Sequence, residues 1–242
     1  MRNVWTIAKR EFNMYFASPV AYAIGFGVLL VLGLFFYGGL LQASLGGTPD
    51  LTQTLGVFVT LLLFMTPALT MRLVAEEQRT GTMELLLTAP LREWELVLGK
   101  WLAALGFVAV LIALTGIYAL ILSRLTVPGL DVGSLLAVYL GLFLLVGALL
   151  AVGVFISSLF TNQIAAFFAI IGTTLLLWII DLPLQSATGM AAEVVRYIAF
   201  PAHVYDNFFS GVVELKDIVY LISIMIFFLF LAARSVESRR WR

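Results

Sequence analysis

The sequence predicts an all-α polytopic membrane protein with six transmembrane helices and both termini in the cytoplasm. Three observations carry that prediction. Of the 242 residues, 62% are hydrophobic and only 12% charged, whereas a soluble domain averages roughly 25% charged. The apolar residues fall into six runs of the length that crosses roughly 30 Å of hydrocarbon as a helix. Basic residues collect on one side of those runs. A soluble fold of this size buries only about 75% of its surface and could not hide so much apolar area. With 20 Gly, 7 Pro and no Cys, disorder, collagen and a disulfide scaffold are excluded too. Zero net charge gives nucleic acid no electrostatic footing, and the lack of cysteine removes thiolate chemistry.

Residues 1–18 are expected to form an amphipathic helix along the bilayer surface. Val4, Trp5, Ala8, Phe12, Tyr15 and Phe16 recur at helical spacing with Lys9, Arg10 and Asn13 between them. Ser18-Pro19 ends that helix, because the residue before proline disfavours the α conformation. The first span, about Val20–Leu41, is longer than the core of a signal peptide and is expected to be retained. Residues 19–75 hold spans one and two (the second about Leu55–Val74), joined by a turn at Gly46-Gly47-Thr48-Pro49-Asp50. Residues 93–160 hold spans three and four, about Val97–Leu122 and Leu135–Phe160. A tight hairpin at Thr161-Asn162-Gln163 leads into span five, about Ile164–Ile180, within residues 161–181. An external segment, 182–217, carries Met190, Val194, Val195 and Ile198 at helical spacing, then Phe200-Pro201, Tyr205, Phe208 and Phe209. It reads as one or two short helices dipping into the outer leaflet. Span six covers 218–233, and 234–242 form a basic tail. None of the runs alternates like a membrane β-strand.

Eleven of the 14 basic residues lie before span one, around the second connection or after span six; Arg124, Arg196 and Lys216 lie on the other side. The acids divide evenly, so the neutral total hides about four positive charges inside and four negative outside. The middles of the six runs carry no ionisable group, which argues against a proton relay or a charged-ring channel. No hydrolase or phosphate-loop motif is present, and Gly99-Lys100 lacks an upstream glycine. Nucleotide energy, if used, must come from another chain. His203, the only histidine, reads as an interfacial hydrogen-bonding residue. Small residues recur at four-residue spacing (Gly147 and Ala151, Gly153 and Ser157, Ala165 and Ala169), a pattern that fits packing within one bundle or an interface between subunits.

The second connection, 76–92, differs from everything around it. It reads Glu76-Glu77-Gln78-Arg79-Thr80-Gly81-Thr82-Met83-Glu84 and ends at Pro90. Gly81 suits a tight turn; Thr82 is placed to cap a helix whose first turn holds Glu84. Two helical turns are unstable alone in water. Glu76 and Glu77 follow span two, where its dipole disfavours anions, so they call for paired cations from Arg79, Arg92 or another subunit. Span three starts early, at Glu93, and its surplus turns with Trp94 and Trp101 would project the connection outward. A solvated loop of mixed charges and a partner-docking surface both fit these features.

The run EEQRTGTMELLLTAPLREWELVLGK at Glu76–Lys100 resembles the signature of ABC-2 type transporter permeases: an acidic pair, Gly-Thr, Glu-x-Leu-Leu, a proline, then Gly-Lys opening the next span. The resemblance extends over the chain, with its amphipathic start, inner hairpin and external re-entrant stretch. Lys9-Arg10-Glu11-Phe12, Ser18-Pro19, Ser157-Ser158 and Asn162-Gln163 are most similar to the gliding-motility-type subfamily. The resemblance implies the ABC-2, type V exporter-like architecture, in an inner membrane. It also implies a coupling helix in which Glu76, Glu77, Arg79, Gly81, Thr82 and Glu84 dock a separate ABC ATPase subunit. Phe200, Pro201 and Tyr205 would mark the external re-entrant segment. The chain itself would hold no cofactor, metal or catalytic residue; ATP would bind the partner. A second permease subunit, an envelope accessory protein and membrane lipid are the other partners implied. The expected function is export of a lipid-like, hydrophobic or envelope-destined substrate. The alternatives are an ATP-independent channel or carrier, or a non-transporting scaffold of an envelope complex.

Overall fold

The computed structural model describes residues 2–46, 50–82, 91–126, 131–180, 182 and 189–239. Among these there is no strand. The helices are α1 (Arg2–Ala17), α2 (Pro19–Ser44), α3 (Thr52–Thr70), α4 (Ala75–Arg79), α5 (Glu93–Leu125), α6 (Val132–Leu159), α7 (Gln163–Ile179), α8 (Met190–Ile198), α9 (Phe200–Tyr205) and α10 (Leu215–Arg239), with a 3-10 turn at Phe208–Ser210.

Five helices are long and apolar enough to cross a membrane: α2, α3 with its continuation to Arg79, α5, α6 and α10. The fifth span of the sequence reading is α7, an apolar helix of 17 residues. At 1.5 Å per residue it is about 26 Å long, slightly short of the roughly 30 Å hydrocarbon core. Its start is set by Asn162, whose side chain accepts from the Ile164 N–H at 2.9 Å. Three residues, 160–162, separate it from α6, as the hairpin expectation required.

The core forms around α6, because that helix is apolar on every side. Leu142, Leu145, Val146, Leu149 and Leu150 are fully buried, and α10, α3, α5 and α7 pack around it. Small residues set the closest approaches. A Cβ on Gly147 would lie 2.8 Å from Met225 Cε of α10, and one on Gly153 would lie 2.2 Å from Thr70 Oγ1 of α3. The α6 stripe of Gly147, Ala151, Gly153 and Ser157 is therefore spent on packing within the chain. Ala165 and Ala169 on α7 stay partly open.

The bundle has two ends. One carries α1, α4, the start of α5, the α6–α7 hairpin and the C-terminal part of α10; the Ser235 hydroxyl reaches the Ser158 carbonyl there. The other carries α8, α9, the 3-10 turn and the start of α10. They are called here the termini end and the opposite end.

Candidate functional site

At the termini end α1 lies across the first turns of α5, and its buried face differs from the one the apolar spacing predicts. The buried residues are Val4, Ile7, Ala8, Glu11 and Tyr15, while Trp5 is 71% exposed. The face is rotated because α5 offers a flat patch at Gly99: a Cβ there would lie 2.7 Å from Ile7 Cγ2. It also offers a buried cation. Lys100 is 2% exposed and Glu11 6% exposed, and the Lys100 ammonium donates to Glu11 Oε1 at 3.2 Å. The surplus turns of α5 are buried at Glu95, Leu96, Val97, Gly99 and Lys100. They are the seat of α1, and the Asn3 amide donates to Glu95 Oε2 at 3.1 Å to hold its first turn.

Lys100 binds a second carboxylate, Glu77 Oε1 of α4, at 2.7 Å. Arg10 contacts Glu11 Oε1 at 2.8 Å. Two cations and two anions therefore form one neutral chain, Arg10–Glu11–Lys100–Glu77, which ties α1, α4 and α5 together. Neutrality matters because unpaired charges taken out of water cost several kcal/mol each. Among the described residues, Glu77 Oε2 is buried and without a hydrogen-bond partner.

The sequence reading placed Glu76 and Glu77 at the C-terminus of span two, against its dipole. The structure corrects this. α3 ends at Thr70, residues 71–74 form a turn, and α4 restarts at Ala75, so both acids sit in a first turn, where anions are favoured. The break has an identifiable cause. Ser157 of α6 inserts its hydroxyl into the turn, accepting from the N–H groups of Val74 (3.3 Å) and Ala75 (3.2 Å) and donating to the Met71 carbonyl at 3.1 Å. A side chain inserted into the backbone ladder interrupts a helix in this way. Gln78 then donates to the Ser158 carbonyl at 2.9 Å, so α4 is anchored on α6 as well as on α5.

The other residues singled out in the connection are placed as follows. Glu76 and Arg79 form a solvent-exposed pair at 3.9 Å. Gly81 adopts φ +72° with open space around it, a left-handed turn that other residues rarely adopt. Thr82 is exposed, and its hydroxyl donates to the Glu77 carbonyl at 3.4 Å; the residues it was expected to cap lie outside the described ones. Glu84 and Pro90 lie outside the described residues. Arg92 is not paired with the acids; its backbone N–H donates to Glu95 Oε2 at 3.1 Å.

Sequence reasoning missed the partnership of Glu11 and Lys100. The signal was there: Glu11 falls on the stripe 4, 8, 11, 15 among apolar residues, and Lys100 lies in an apolar run. Beside this network lies a cavity of about 590 Å³. Tyr15 lines it, stacks on Phe107 at 5.2 Å and donates to the Leu69 carbonyl at 3.3 Å. Burial, then the Glu11 carboxylate, push the Tyr15 hydroxyl well above the usual phenol range, against a smaller opposing effect of Arg72.

A family model for the ABC-2 type transporter matches residues 2–180, about three quarters of the chain. The chain belongs to the ABC-2 type transporter family. It is thus a multi-pass membrane protein and the permease component of an ABC transporter, a family that is not itself catalytic and normally partners with an ABC ATPase subunit. No curated protein is matched by the chain. The matched region of this ABC-2 permease contains all four members of the charged chain and stops before α8.

At the opposite end the permease carries a second charged cluster. His203 Nδ1 lies 2.6 Å from Asp217 Oδ1 and Nε2 lies 2.8 Å from the Tyr197 carbonyl; Asn207 donates to Asp217 Oδ2 at 2.7 Å. His203 and Asp217 are 3% and 0% exposed, and Tyr220 stacks on the imidazole at 4.0 Å. His203 is therefore a buried, hydrogen-bonded staple between α9 and α10. Phe200 is wholly buried, Pro201 lies in the first turn of α9, and Tyr205 meets Trp178 and Phe209 edge-on or tilted. Phe208 packs into the gap at Gly141 on α6.

Proposed function

We propose that this permease is the membrane-spanning subunit of an ATP-driven exporter, with the termini end in the cytoplasm and α7 as its sixth span. The basic residues concentrated at that end support the orientation. The observation that carries the reading is the Arg10–Glu11–Lys100–Glu77 chain, because it joins the amphipathic helix, the connection after α3 and a full-length span into one mechanical unit. An ATPase docked on Glu76, Arg79, Gly81, Thr82 and Glu84, with Glu77 turned inward to Lys100, would move α4. The shift would pass to α5 through Lys100 and to α6 through Ser157. Closely packed elements transmit such displacements as rigid bodies rather than absorbing them.

The same reading extends to a second permease subunit, as homodimer or heterodimer, and to a lipid-like, hydrophobic or envelope-destined substrate in an inner membrane. An envelope accessory protein and the gliding-motility-type subfamily remain within it. The ATPase would supply the nucleotide site. The test is reconstitution of the chain with its co-purifying ATPase in liposomes. ATP-dependent movement of a fluorescent amphiphile, lost in the ATPase's catalytic mutant, supports the reading; equal flux from the permease alone contradicts it.

A further inference from the structure

At the opposite end, α8 is fastened by its backbone. None of its described side chains is buried. Two carbonyls of its last turn are engaged instead: the Tyr197 oxygen lies 2.8 Å from His203 Nε2, and the Ile198 oxygen accepts from the Tyr220 hydroxyl. Both ring nitrogens of His203 are thereby committed, since Nδ1 lies 2.6 Å from Asp217 Oδ1. A carbonyl and an ionised carboxylate only accept, and a neutral imidazole has a single N–H, so it can serve one of the two and not both. Two donors also converge on Asp217, His203 at Oδ1 and Asn207 at Oδ2, which is how an ionised carboxylate is satisfied.

We propose that His203 is held as an imidazolium donating from both ring nitrogens, and that its second proton makes the joint of α8, α9 and α10 a clasp that loosens as the medium turns alkaline. With the proton in place, His203 and Asp217, 3% and 0% exposed, form a neutral pair. Without it, a net negative charge is left buried, which is costly, and one acceptor loses its donor. The neutral Tyr197 carbonyl is the weaker acceptor and is released first, leaving the Tyr220 hydroxyl to hold α8. The titratable groups that face the imidazole are Asp217 and Tyr220 of α10 and Tyr197 of α8. Neither α7 nor the 3-10 turn carries a titratable residue, and Tyr139 of α6 is bonded to Thr115. Glu193, Asp206 and Lys216 are exposed, and Arg196 is half-buried. The closed joint holds one proton more than the open one, whose exposed imidazole releases it above about pH 6.5. Closure therefore weakens as pH rises, by about tenfold per unit. The clasp does not depend on ATP coupling, so its failure and the failure of the exporter reading are separable.

The experiment uses the full chain in detergent, purified without a histidine tag and labelled with heavy nitrogen at histidine only. His203 is the chain's only histidine, so the imidazole signals are its own. Both ring nitrogens are expected to carry a proton at about pH 7. On the same preparation, amide exchange across residues 193–199 is followed from about pH 6 to about pH 9, each rate divided by that of an unstructured chain at the same pH. Protection is expected to fall by about tenfold per pH unit above neutrality, with the amides of α6 unchanged. His203→Gln should flatten that dependence; should the variant fail to fold, the two wild-type measurements decide. A ring nitrogen without a proton at neutral pH, or protection of α8 that does not change with pH, would each overturn the proposal.

Discussion

The two buried charged clusters of this molecule are built on opposite plans. At the opposite end, His203, Asp217, Asn207 and the Tyr197 carbonyl satisfy one another, and aromatic rings from Tyr197 and Tyr220 close over them. At the termini end, Arg10, Glu11, Lys100 and Glu77 also balance in charge, yet one carboxylate oxygen is left over and a cavity adjoins them. A saturated cluster fixes one geometry, whereas the other keeps a buried acceptor uncompensated where three elements meet. The first fastens α9 to α10; the second joins α1, α4 and α5.

The comparison can be broken most severely at Lys100. Lys100→Met leaves the buried Glu77 without its cation and Glu11 with Arg10 alone, and removing one member of a buried ion pair typically costs about 3–5 kcal/mol. A large drop in unfolding temperature in detergent is expected, partly recovered by adding Glu77→Gln. No drop would mean that the chain of charges is not what seats α1 and α4. Asp217→Asn at the other end should destabilise somewhat less, because the amide still reaches both His203 and Asn207; thermal unfolding of the two variants side by side ranks the clusters.

Smaller effects sharpen the picture of the joint. Gly99→Ala places a methyl 2.7 Å from Ile7 Cγ2, an overpacking expected to cost about 1–3 kcal/mol and to raise proteolysis within α1. Ser157→Ala leaves the Val74 and Ala75 N–H groups without their acceptor, at roughly 1–3 kcal/mol. Faster amide exchange at those two residues, with α10 unchanged, is the check. Last comes the exposed Glu76–Arg79 pair, whose loss should leave stability within experimental scatter, since surface pairs contribute about 0–1 kcal/mol.

Much of the fold was legible because membrane insertion writes itself as length and hydropathy. The helices α2, α5, α6 and α10 fall where their apolar runs do, extended by a few residues at every end but the C-terminus of α6. The break after Thr70 was not legible. Nothing local to residues 71–74 announces it, since the group that causes it, the Ser157 hydroxyl, comes from a helix some 80 residues on. The face of α1 was misjudged at Trp5 for the same reason: spacing finds an apolar stripe but cannot see that Gly99 and Lys100 make the better seat. The site was half visible. Composition singled out 76–92 as unusual, and Gly81 occupies the left-handed turn that suits a glycine. The pairing of Glu77 with Lys100 and Glu11 needed three elements in contact, and Asp217 beside His203 needed two.

The central claim is that the exposed face of the connection, not merely its fold, binds the ATPase. The swap Glu76→Arg with Arg79→Glu tests it most directly, because it keeps an i,i+3 pair of opposite charges and reverses what a partner meets. The quantity to measure is the ATPase recovered with affinity-purified permease, at matched unfolding temperature. The account predicts that most of the ATPase is lost; recovery equal to wild type would contradict it.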